Sequence, residues 1–306
     1  MRFGQENVRF DSPLPSYINR VYELQTMDET RIIAKFYRPG RWSIDALRDE
    51  HRFMVDCATA EIPVVLPLML ANGETIDEVD GFYFSLFPKK AGREFEVTCD
   101  EDWRRIGQLI GRIHLVGSTK TADDRIVLHP SQSTVADIAQ LVGAGFVSTT
   151  HLDEFIEITG KIVEIAERGF KDIELIRIHS DCHSRNILNR PEEGLMIIDF
   201  DDMVTGPPVQ DIWLLLHDYA DRSQREINLI LEGYEQFREF DDRSLKLIEP
   251  LRAMRMLHHL AWCSKQVNDF QFNKNFPDWG SDAFWQREIS DLRIQLQIIL
   301  EKHSTG

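Results

Sequence analysis

Residues His179–Asp202 read HSDCHSRNILNRPEEGLMIIDFDD and carry four aspartates and two asparagines among residues that are typical of buried strands. Asp181 comes just after the strand-like segment LIRIH, Asn186 follows five residues later, and Asp199 ends the apolar run LMII. A strand, a loop and a second strand with these residues at their ends would bring three oxygen-bearing side chains together. Such a set predicts a Mg²⁺ site, because Mg²⁺ takes few protein ligands and leaves positions for phosphate and water.

The three residues divide between the two tasks of phosphoryl transfer. One of the two carboxylates can accept or orient a hydroxyl proton, while the amide oxygen and the other carboxylate hold the metal without an excess of negative charge. Any one of these residues, taken singly, is more often a helix cap or a turn residue. The combined spacing, H-x-D-x-x-x-x-N followed by an aspartate after an apolar strand, favours the catalytic interpretation.

The two histidines of this segment also have a second interpretation. His179 and His183 are four residues apart, which on a helix could bind zinc. The preceding segment is strand-like and no third ligand completes a zinc pattern, so we interpret both as buried, hydrogen-bonded histidines. Asp201 and Asp202 stay open between a further carboxylate of the metal site and a turn residue.

The composition is that of a globular protein, with 42% hydrophobic and 28% charged residues in a chain of 306. A formal net charge of −16 argues against binding to nucleic acid or to an anionic membrane, and suits cationic ligands better. The four cysteines form no C-x-x-C pair, which predicts reduced thiols without a disulfide framework. No N-terminal signal pattern and no long uninterrupted apolar stretch occurs, so we expect a cytoplasmic protein. We also expect a monomer.

Hydrophobic periodicity divides the chain into a strand-rich part and a helical part. RVYEL and RIIAKFY flank a polar turn as the strands of a hairpin do, GFYFSLF has the length of a buried strand, and one helix over SIDALRDEHRFMVDCATAE interrupts them. Apolar stripes at helical spacing then predict long helices; they are Trp103, Ile106, Ile110 and Ile113, then Leu152, Phe155, Ile162 and Ile165, then Ile289, Leu292, Leu296 and Ile299. We predict an α+β fold with a β-rich N-lobe over residues 1–88, a helical C-lobe over residues 89–306, and a ligand cleft between them.

The segment that starts at His179 resembles the hallmark of the kinase-like phosphotransferases grouped with aminoglycoside and choline kinases, H-G-D-x-H-x-x-N followed by I-D-x-x-D. Further segments follow the order shown by a bacterial serine/threonine protein kinase of this family; they are SYINRVY, KFYRPGRW, GFYFSLFP, GPPVQDIW and IEPLRAMRM. The resemblance runs from about Pro13 to the NFPDW segment. It implies a bilobal protein-kinase-like fold and an ATP- and Mg²⁺-dependent kinase that phosphorylates protein serine or threonine hydroxyls in a stress response.

The resemblance also implies roles for individual residues. Asp181 and Asp199 are implied to be catalytic, with Asp181 as the proton acceptor, and Asn186 and Asp199 to bind Mg²⁺. The nucleotide-binding residues that it implies are Ser16, Ile33, Lys35, Glu50, Phe87 and Lys89. In this scheme the loop over residues 16–20 replaces a glycine-rich phosphate loop, and the backbone of residues 87–89 meets the adenine.

Lys35 and Glu50 are implied to form an ion pair, with the lysine on the α and β phosphates. The residues alone leave alternatives for both. Lys35 lies in an apolar strand, where a lysine is costly unless an anion meets it, although an edge-strand lysine that reaches water is comparably frequent. Glu50 also fits an ordinary solvated helix face together with Asp45 and Asp49.

The chain departs from the family pattern at glycine positions and in one loop length. No G-x-G-x-x-G is present, and Ser180 stands where the small-molecule kinases usually have glycine. Only residues 200–210 separate Asp199 from Asp211, which leaves no room for a long activation loop. Two alternatives to a protein kinase therefore stay open: a kinase for an aminoglycoside, choline or a related hydroxylated cation, and a nucleotide-binding pseudokinase that acts as an interaction module.

Overall fold

The computed structural model describes residues 8–14, 19–190 and 192–303, and within them lie ten strands and nine α-helices. The strands are β1 (Val8–Leu14), β2 (Arg20–Thr26), β3 (Arg31–Phe36), β4 (Asp77–Val79), β5 (Phe82–Pro88), β6 (Arg93–Glu94), β7 (Ile176–Ile178), β8 (Ile187–Arg190), β9 (Gly194–Ile197) and β10 (Val204–Gly206). The helices are α1 (Ile44–Thr59), α2 (Asp100–Gly117), α3 (Val135–Gly143), α4 (Leu152–Phe170), α5 (Val209–Trp213), α6 (Gln224–Tyr234), α7 (Ile248–Ser264), α8 (Phe270–Asn275) and α9 (Asp282–His303). The predicted α+β class, β-rich at the start and mainly helical afterwards, is confirmed.

The N-terminal sheet has five antiparallel strands in the order β1-β2-β3-β5-β4. The predicted hairpin is confirmed as β2 and β3, and the predicted buried strand as β5. Ile32 and Ala34 of β3 pack into the apolar core on one face of this sheet. Because side chains alternate along a strand, Ile33 and Lys35 lie on the opposite face. The central strand therefore presents its lysine away from the apolar core.

Helix α1 interrupts the strands, as predicted. Its N-cap is Ser43, whose Oγ accepts a hydrogen bond from the Ala46 N–H at 3.1 Å, which satisfies one of the unpaired donors of the first turn. Leu47 and Phe53 are fully buried on its inner face. That face also carries Glu50, so the burial of the apolar residues takes a carboxylate out of solvent.

Helix α2 begins one residue later than its sequence pattern indicates. The TCDE segment predicts a capping box with Thr98 as the cap. In the structure the cap is Cys99, one residue later, and the capping carboxylate is Asp102. Its Oδ2 accepts hydrogen bonds from the Thr98 N–H at 3.0 Å and the Thr98 hydroxyl at 2.8 Å. Asp102 thus accepts from both the backbone N–H and the hydroxyl of Thr98, which explains why the helix begins after Cys99 rather than after Thr98.

The segment His179–Asp202 folds around a small second sheet, with strand order β6-β8-β9. Strands β8 and β9 form an antiparallel hairpin in which Ile187 lies opposite Ile197. β7 pairs separately with β10. The apolar residues around the acidic ones are therefore strand residues buried in the protein.

The chain divides into two compact units. The first contains Met1–Arg125, Ile176–Thr205 and Arg225–Phe240, and the second contains Ile126–Leu175, Gly206–Gln224 and Asp241–Gly306. In the second unit the predicted apolar stripes of α4 and α9 are buried in one core with Trp285. The predicted lobes, residues 1–88 and 89–306, do not coincide with these two units, and the boundary between the lobes stays a prediction. None of the helices in the described ranges is long and apolar enough to cross a membrane.

Candidate active site

The backbone brings Asn186 next to Asp199, as the spacing of the motif predicts. Asn186 ends a 3₁₀ turn and directly precedes β8, while Asp199 follows β9 at the other side of the same hairpin. The Ile198 N–H donates a hydrogen bond to the Asn186 carbonyl oxygen at 3.0 Å. The His179 Nε2 atom lies 2.9 Å from the Ile198 carbonyl oxygen, and its ring is fully buried, so His179 is a structural, hydrogen-bonded histidine.

Asp181 lies on the loop between β7 and this turn. The Asn186 Nδ2 group donates to the Asp181 carbonyl oxygen at 2.9 Å and lies 3.4 Å from its Oδ2. The same Oδ2 is 3.4 Å from His183 Nε2. The side chain of Asp181 is 18% exposed, so its carboxylate is partly screened but reachable from solvent. Asp181 and Asn186 are thus in direct contact, and Asp199 is next in the chain to Ile198, whose N–H binds the Asn186 carbonyl oxygen.

Two residues of this segment adopt left-handed backbone conformations. Ser180 has a φ of 69° and Asp199 a φ of 63°. Such values disfavour residues with a Cβ and are easiest for glycine. This conformation explains why the small-molecule kinases can have glycine where this chain has Ser180. At Asp199 the left-handed turn redirects the chain from β9 into the 3₁₀ turn of residues 200–202.

Lys35 lies at ion-pair distance from the carboxylates of Asp199 and Asp201. Its Nζ atom lies 3.0 Å from Asp199 Oδ1 and 3.2 Å from Asp201 Oδ1. Burial lowers the pKa of Lys35, but the nearby Asp199, Asp201 and Glu50 raise it well above its ordinary value, so the ammonium stays charged. Lys35 is buried in a central strand, so the alternative of an edge-strand lysine that reaches water is wrong.

Glu50 does not pair with Lys35, which corrects the predicted ion pair. Its Oε2 instead accepts a hydrogen bond from Arg125 Nη2 at 2.7 Å, and both side chains are fully buried. The alternative of a solvated helix face is also wrong for Glu50 and for Asp49, which is 3% exposed. Burial raises the pKa of Glu50 to about 7, although Lys35 and Arg125 lower it.

Glu50→Gln should change how stability depends on pH. The folded-state pKa of Glu50 is about 7 and the ordinary value is 4.5, so the folded protein binds this proton more tightly than the unfolded chain does. The resulting stabilisation is complete below the ordinary pKa and is lost as pH rises through the folded one. Between about pH 4 and about pH 8 we expect the unfolding free energy of the wild type to fall by about 3 kcal/mol relative to the variant. Urea unfolding of both proteins at the two pH values measures this, and a difference that stays constant would contradict the raised pKa.

Asp201 and Asp202 both form ion pairs with Arg41, a residue that belongs to no site motif in the sequence. Arg41 Nη1 lies 2.5 Å from Asp201 Oδ2, and its Nη2 forms an ion pair with Asp202. Burial raises the pKa of Asp201, but Lys35, Arg41 and Arg125 outweigh it and hold the pKa below its ordinary value. Asp201 is therefore a residue of the 3₁₀ turn, and it is buried and charged.

The segment predicted to meet adenine is part of the sheet. Phe87 of β5 lies directly opposite Ile33 of β3, and the Lys89 N–H donates to the Arg31 carbonyl oxygen at 3.1 Å. Backbone groups alternate in direction along an antiparallel strand, and Pro88 has no N–H, so the Pro88 carbonyl is the group that faces away from β3. Ser16 lies outside the described residues. The nucleotide contacts of Ile33, Phe87, Lys89 and Ser16 stay predictions.

The donor set fits Mg²⁺ better than a metal that needs many protein ligands. The side chain of Asp199 is 54% exposed, and the Asn186 amide nitrogen is engaged with Asp181, which leaves its carbonyl oxygen for a cation. Across the described ranges, no group of three or more His, Cys, Asp or Glu could hold a metal ion. Two oxygen ligands with phosphate and water completing the shell are what Mg²⁺ accepts.

Arg125 is a site residue that no pattern in the sequence indicates. It lies in the segment TADDRIVLHP, which has no motif, yet its guanidinium is fully buried and donates to Glu50, to the Ala46 carbonyl and to the Asp201 carbonyl. An arginine that is unremarkable in sequence becomes a central contact because three separate segments meet around it.

Comparison with known proteins agrees with this geometry. The profile of the phosphotransferase enzyme family matches residues 12–248. Stress response kinase A of Salmonella choleraesuis (strain SC-B67) is 35% identical over 301 residues, covering 97% of this chain and 91% of that protein. A protein of Salmonella typhimurium strain LT2 named serine/threonine protein kinase RdoA is 34% identical with the same coverage.

Solved structures confirm the kinase-like fold. The amicoumacin kinase hAmiN, in complex with AMP-PNP, Ca²⁺ and Ami, has a TM-score of 0.71 at 18% identity, covering 95% of this chain and 89% of that one. A microcompartment-associated aminopropanol kinase has a TM-score of 0.72 at 16% identity, covering 99% and 95%. The chain therefore belongs to the phosphotransferase enzyme family, within the group that contains stress response kinase A, and is a phosphotransferase with a hydroxyl acceptor.

Proposed function

We propose that this protein is an ATP- and Mg²⁺-dependent kinase that transfers the γ-phosphate to serine or threonine hydroxyls of proteins in a stress response. The observation that carries the proposal is that the Lys35 ammonium lies 3.0 Å from Asp199 Oδ1, while a backbone hydrogen bond of Ile198 brings Asn186 next to the same segment. The oxygens of Asn186 and Asp199 are the ligands that we propose for the cation. The similarity to a relative named as a serine/threonine protein kinase supports the protein acceptor.

The nucleotide and the metal belong to the same proposal. The Ca²⁺ and AMP-PNP complex of the similar amicoumacin kinase supports the use of a nucleotide and a divalent cation by this fold. Mg²⁺, when bound by Asn186 and Asp199, would neutralise charge on the phosphate oxygens. Lys35 binds the α and β phosphates through its remaining N–H donors, and β3 and β5 present Ile33 and residues 87–89 to the nucleotide base.

Asp181 is the residue that prepares the acceptor. The hydroxyl oxygen attacks the γ-phosphorus while its proton passes to the Asp181 carboxylate, and the bond from the γ-phosphorus to the β-phosphate oxygen breaks to release ADP. The side-chain amide of Asn186 holds the Asp181 loop in place, because it donates a hydrogen bond to the backbone carbonyl oxygen of Asp181. The carboxylate is therefore held at one end of the site, where it can orient the incoming hydroxyl.

A kinase for a small hydroxylated cation is the second candidate. The net charge of −16 would attract an amine such as an aminoglycoside or choline, and the two similar solved structures are named as kinases of small molecules. The short connection from Asp199 to α5 also lacks the length of a protein-kinase activation loop. We keep the protein acceptor first because its support comes from relatives of much higher sequence identity.

The remaining expectations complete the proposal. We propose a monomeric cytoplasmic enzyme that binds neither nucleic acid nor membranes, with an N-lobe of residues 1–88 and a C-lobe of residues 89–306. The negative net charge supports the absence of nucleic acid and anionic membranes among its partners.

The proposal predicts Mg²⁺-dependent transfer of labelled γ-phosphate to generic protein substrates. We expect phosphoserine and phosphothreonine in the products, no transfer when Mg²⁺ is chelated, and no stimulation of ATP consumption by a panel of aminoglycosides, choline and amino alcohols. Stimulation by one of these amines without protein labelling would favour the second candidate. Tight Mg-ATP binding with no turnover on any acceptor would favour a pseudokinase.

A further inference from the structure

Lys35 forms ion pairs with two carboxylates, and one of them, that of Asp201, comes from the turn after β9 rather than from α1. Among the described residues, the carboxylates at ion-pair distance from Lys35 Nζ are those of Asp199, at 3.0 Å, and Asp201, at 3.2 Å. Asp201 comes from the 3₁₀ turn after β9, whereas the expected partner was Glu50 on α1. Two carboxylates therefore hold the ammonium, and their surroundings differ.

Exposure separates the roles of the two aspartates. The side chain of Asp199 is 54% exposed, while that of Asp201 is 5% exposed. The exposed carboxylate is accessible to a cation and to solvent, so its contact with Lys35 can be exchanged when ligands bind. The buried carboxylate has no such access, and its contact with Lys35 is the one that can persist.

Asp201 is itself fixed by two arginines. Arg41 Nη1 lies 2.5 Å from its Oδ2, and Arg125 Nη1 donates to its carbonyl oxygen at 2.9 Å. Arg41 also pairs with the neighbouring Asp202. Charge-assisted bonds to both the side chain and the backbone set the position and the direction of this carboxylate. Its Oδ1 is thereby held 3.2 Å from Lys35 Nζ, as an ion pair without hydrogen-bond geometry.

Glu50 is engaged elsewhere. Its Oε2 accepts from Arg125 Nη2 at 2.7 Å, and the guanidinium of Arg125 also donates to the Ala46 carbonyl at 2.8 Å. The Trp42 ring covers this guanidinium, with 4.1 Å from the arginine Cζ to the ring centroid. Breaking the ion pair between Arg125 and Glu50 would be strongly unfavourable, because it would leave an uncompensated charge buried in the protein.

We propose that Asp201 is the carboxylate that positions Lys35 for the nucleotide phosphates in place of Glu50, and that Glu50 acts indirectly by holding Arg125 against Asp201. This inference rests on the proposed function, because it assumes that Lys35 meets ATP. Asp201 is a positioning residue: it touches the lysine and does not touch the reacting atoms.

The test compares Asp201→Asn, Glu50→Gln and Lys35→Met in ATP affinity and in steady-state kinetics. Asp201→Asn should raise the KM and the Kd for ATP about tenfold or more, since a charge-assisted contact to the lysine is lost, with the KM for the acceptor unchanged. Glu50→Gln should raise the KM for ATP less than about fivefold, because Arg125 keeps its two carbonyl partners. In the Lys35→Met background the Asp201 substitution should have no further effect on ATP affinity.

A purely structural Asp201 would give a different pattern. Loss of folded protein lowers the apparent kcat at an unchanged KM for ATP, and it persists in the Lys35→Met background. If Asp201→Asn does not fold, Arg41→Gln replaces it, because this change frees the same carboxylate and should raise the KM for ATP more than Glu50→Gln does. The exposed Asp45→Asn on α1 is the control expected to behave as wild type.

Two results would overturn the inference in distinguishable ways. A larger loss of ATP affinity in Glu50→Gln than in Asp201→Asn, or an Asp201 effect that survives the loss of Lys35, would overturn this inference and leave the kinase proposal standing. A wild-type chain that binds no ATP would overturn the proposed function and the inference together.

Discussion

Asp181→Asn should slow phosphoryl transfer by about a hundredfold to ten-thousandfold, with nucleotide affinity nearly unchanged. The amide has the shape of the carboxylate but cannot accept the proton of the hydroxyl. The bond from Asn186 Nδ2 uses the carbonyl oxygen of Asp181, so the loop should keep its position in the variant. Single-turnover transfer from labelled ATP measures the rate, and calorimetry with Mg-ATP measures the affinity.

The matched control for this substitution is Asp45→Asn, which makes the same chemical change on the exposed face of α1. Among the described residues, Asp45 forms an ion pair with Arg48 of the same helix at 2.9 Å, and about half of each side chain is exposed. We expect wild-type rates from this variant. Transfer by Asp181→Asn within about threefold of wild type would contradict its role as proton acceptor. A loss of Mg-ATP binding would show instead that the change disturbs the nucleotide site.

Gly107→Ala should cost about 3 kcal/mol or more of unfolding free energy, because its new methyl group would meet backbone rather than a movable side chain. A Cβ at Gly107 of α2 would lie 1.9 Å from the Ile230 carbonyl oxygen of α6. The approach is mutual, since a Cβ at Gly233 would lie 2.0 Å from the Arg104 carbonyl oxygen. The two helices must separate to admit the methyl group. Urea unfolding compared with wild type measures the loss.

Gly160→Ala is the matched control, because it makes the same substitution within α4 where a Cβ would meet no atom within 4 Å. Alanine loses less backbone entropy than glycine in a helix, so this variant should gain about 0.5 to 1 kcal/mol. If the free energy of unfolding falls in Gly107→Ala and rises in Gly160→Ala, the destabilisation comes from the contact between α2 and α6. A Gly107→Ala protein as stable as wild type would contradict the close approach.

Local sequence patterns were enough to predict the elements that carry the site. The hairpin of β2 and β3 follows from two apolar runs around a polar turn, and the buried faces of α2, α4 and α9 follow from helical spacing. The meeting of Asn186 with Asp199 follows from a strand, a turn and a strand within a short segment. These features depend on neighbours in the chain, whose geometry the backbone constrains strongly.

The sequence alone predicted which groups carry the proposed chemistry, while the tertiary structure decided how those groups are paired. Periodicity predicts the helix that carries Glu50, but the partner of Glu50 is Arg125, 75 residues away, and the buried partner of Lys35 is Asp201. Periodicity specifies which face of an element is buried and does not specify which element packs on it. The partner of a buried charge depends on that packing, because a buried carboxylate must find its cation within hydrogen-bond distance wherever the fold provides one.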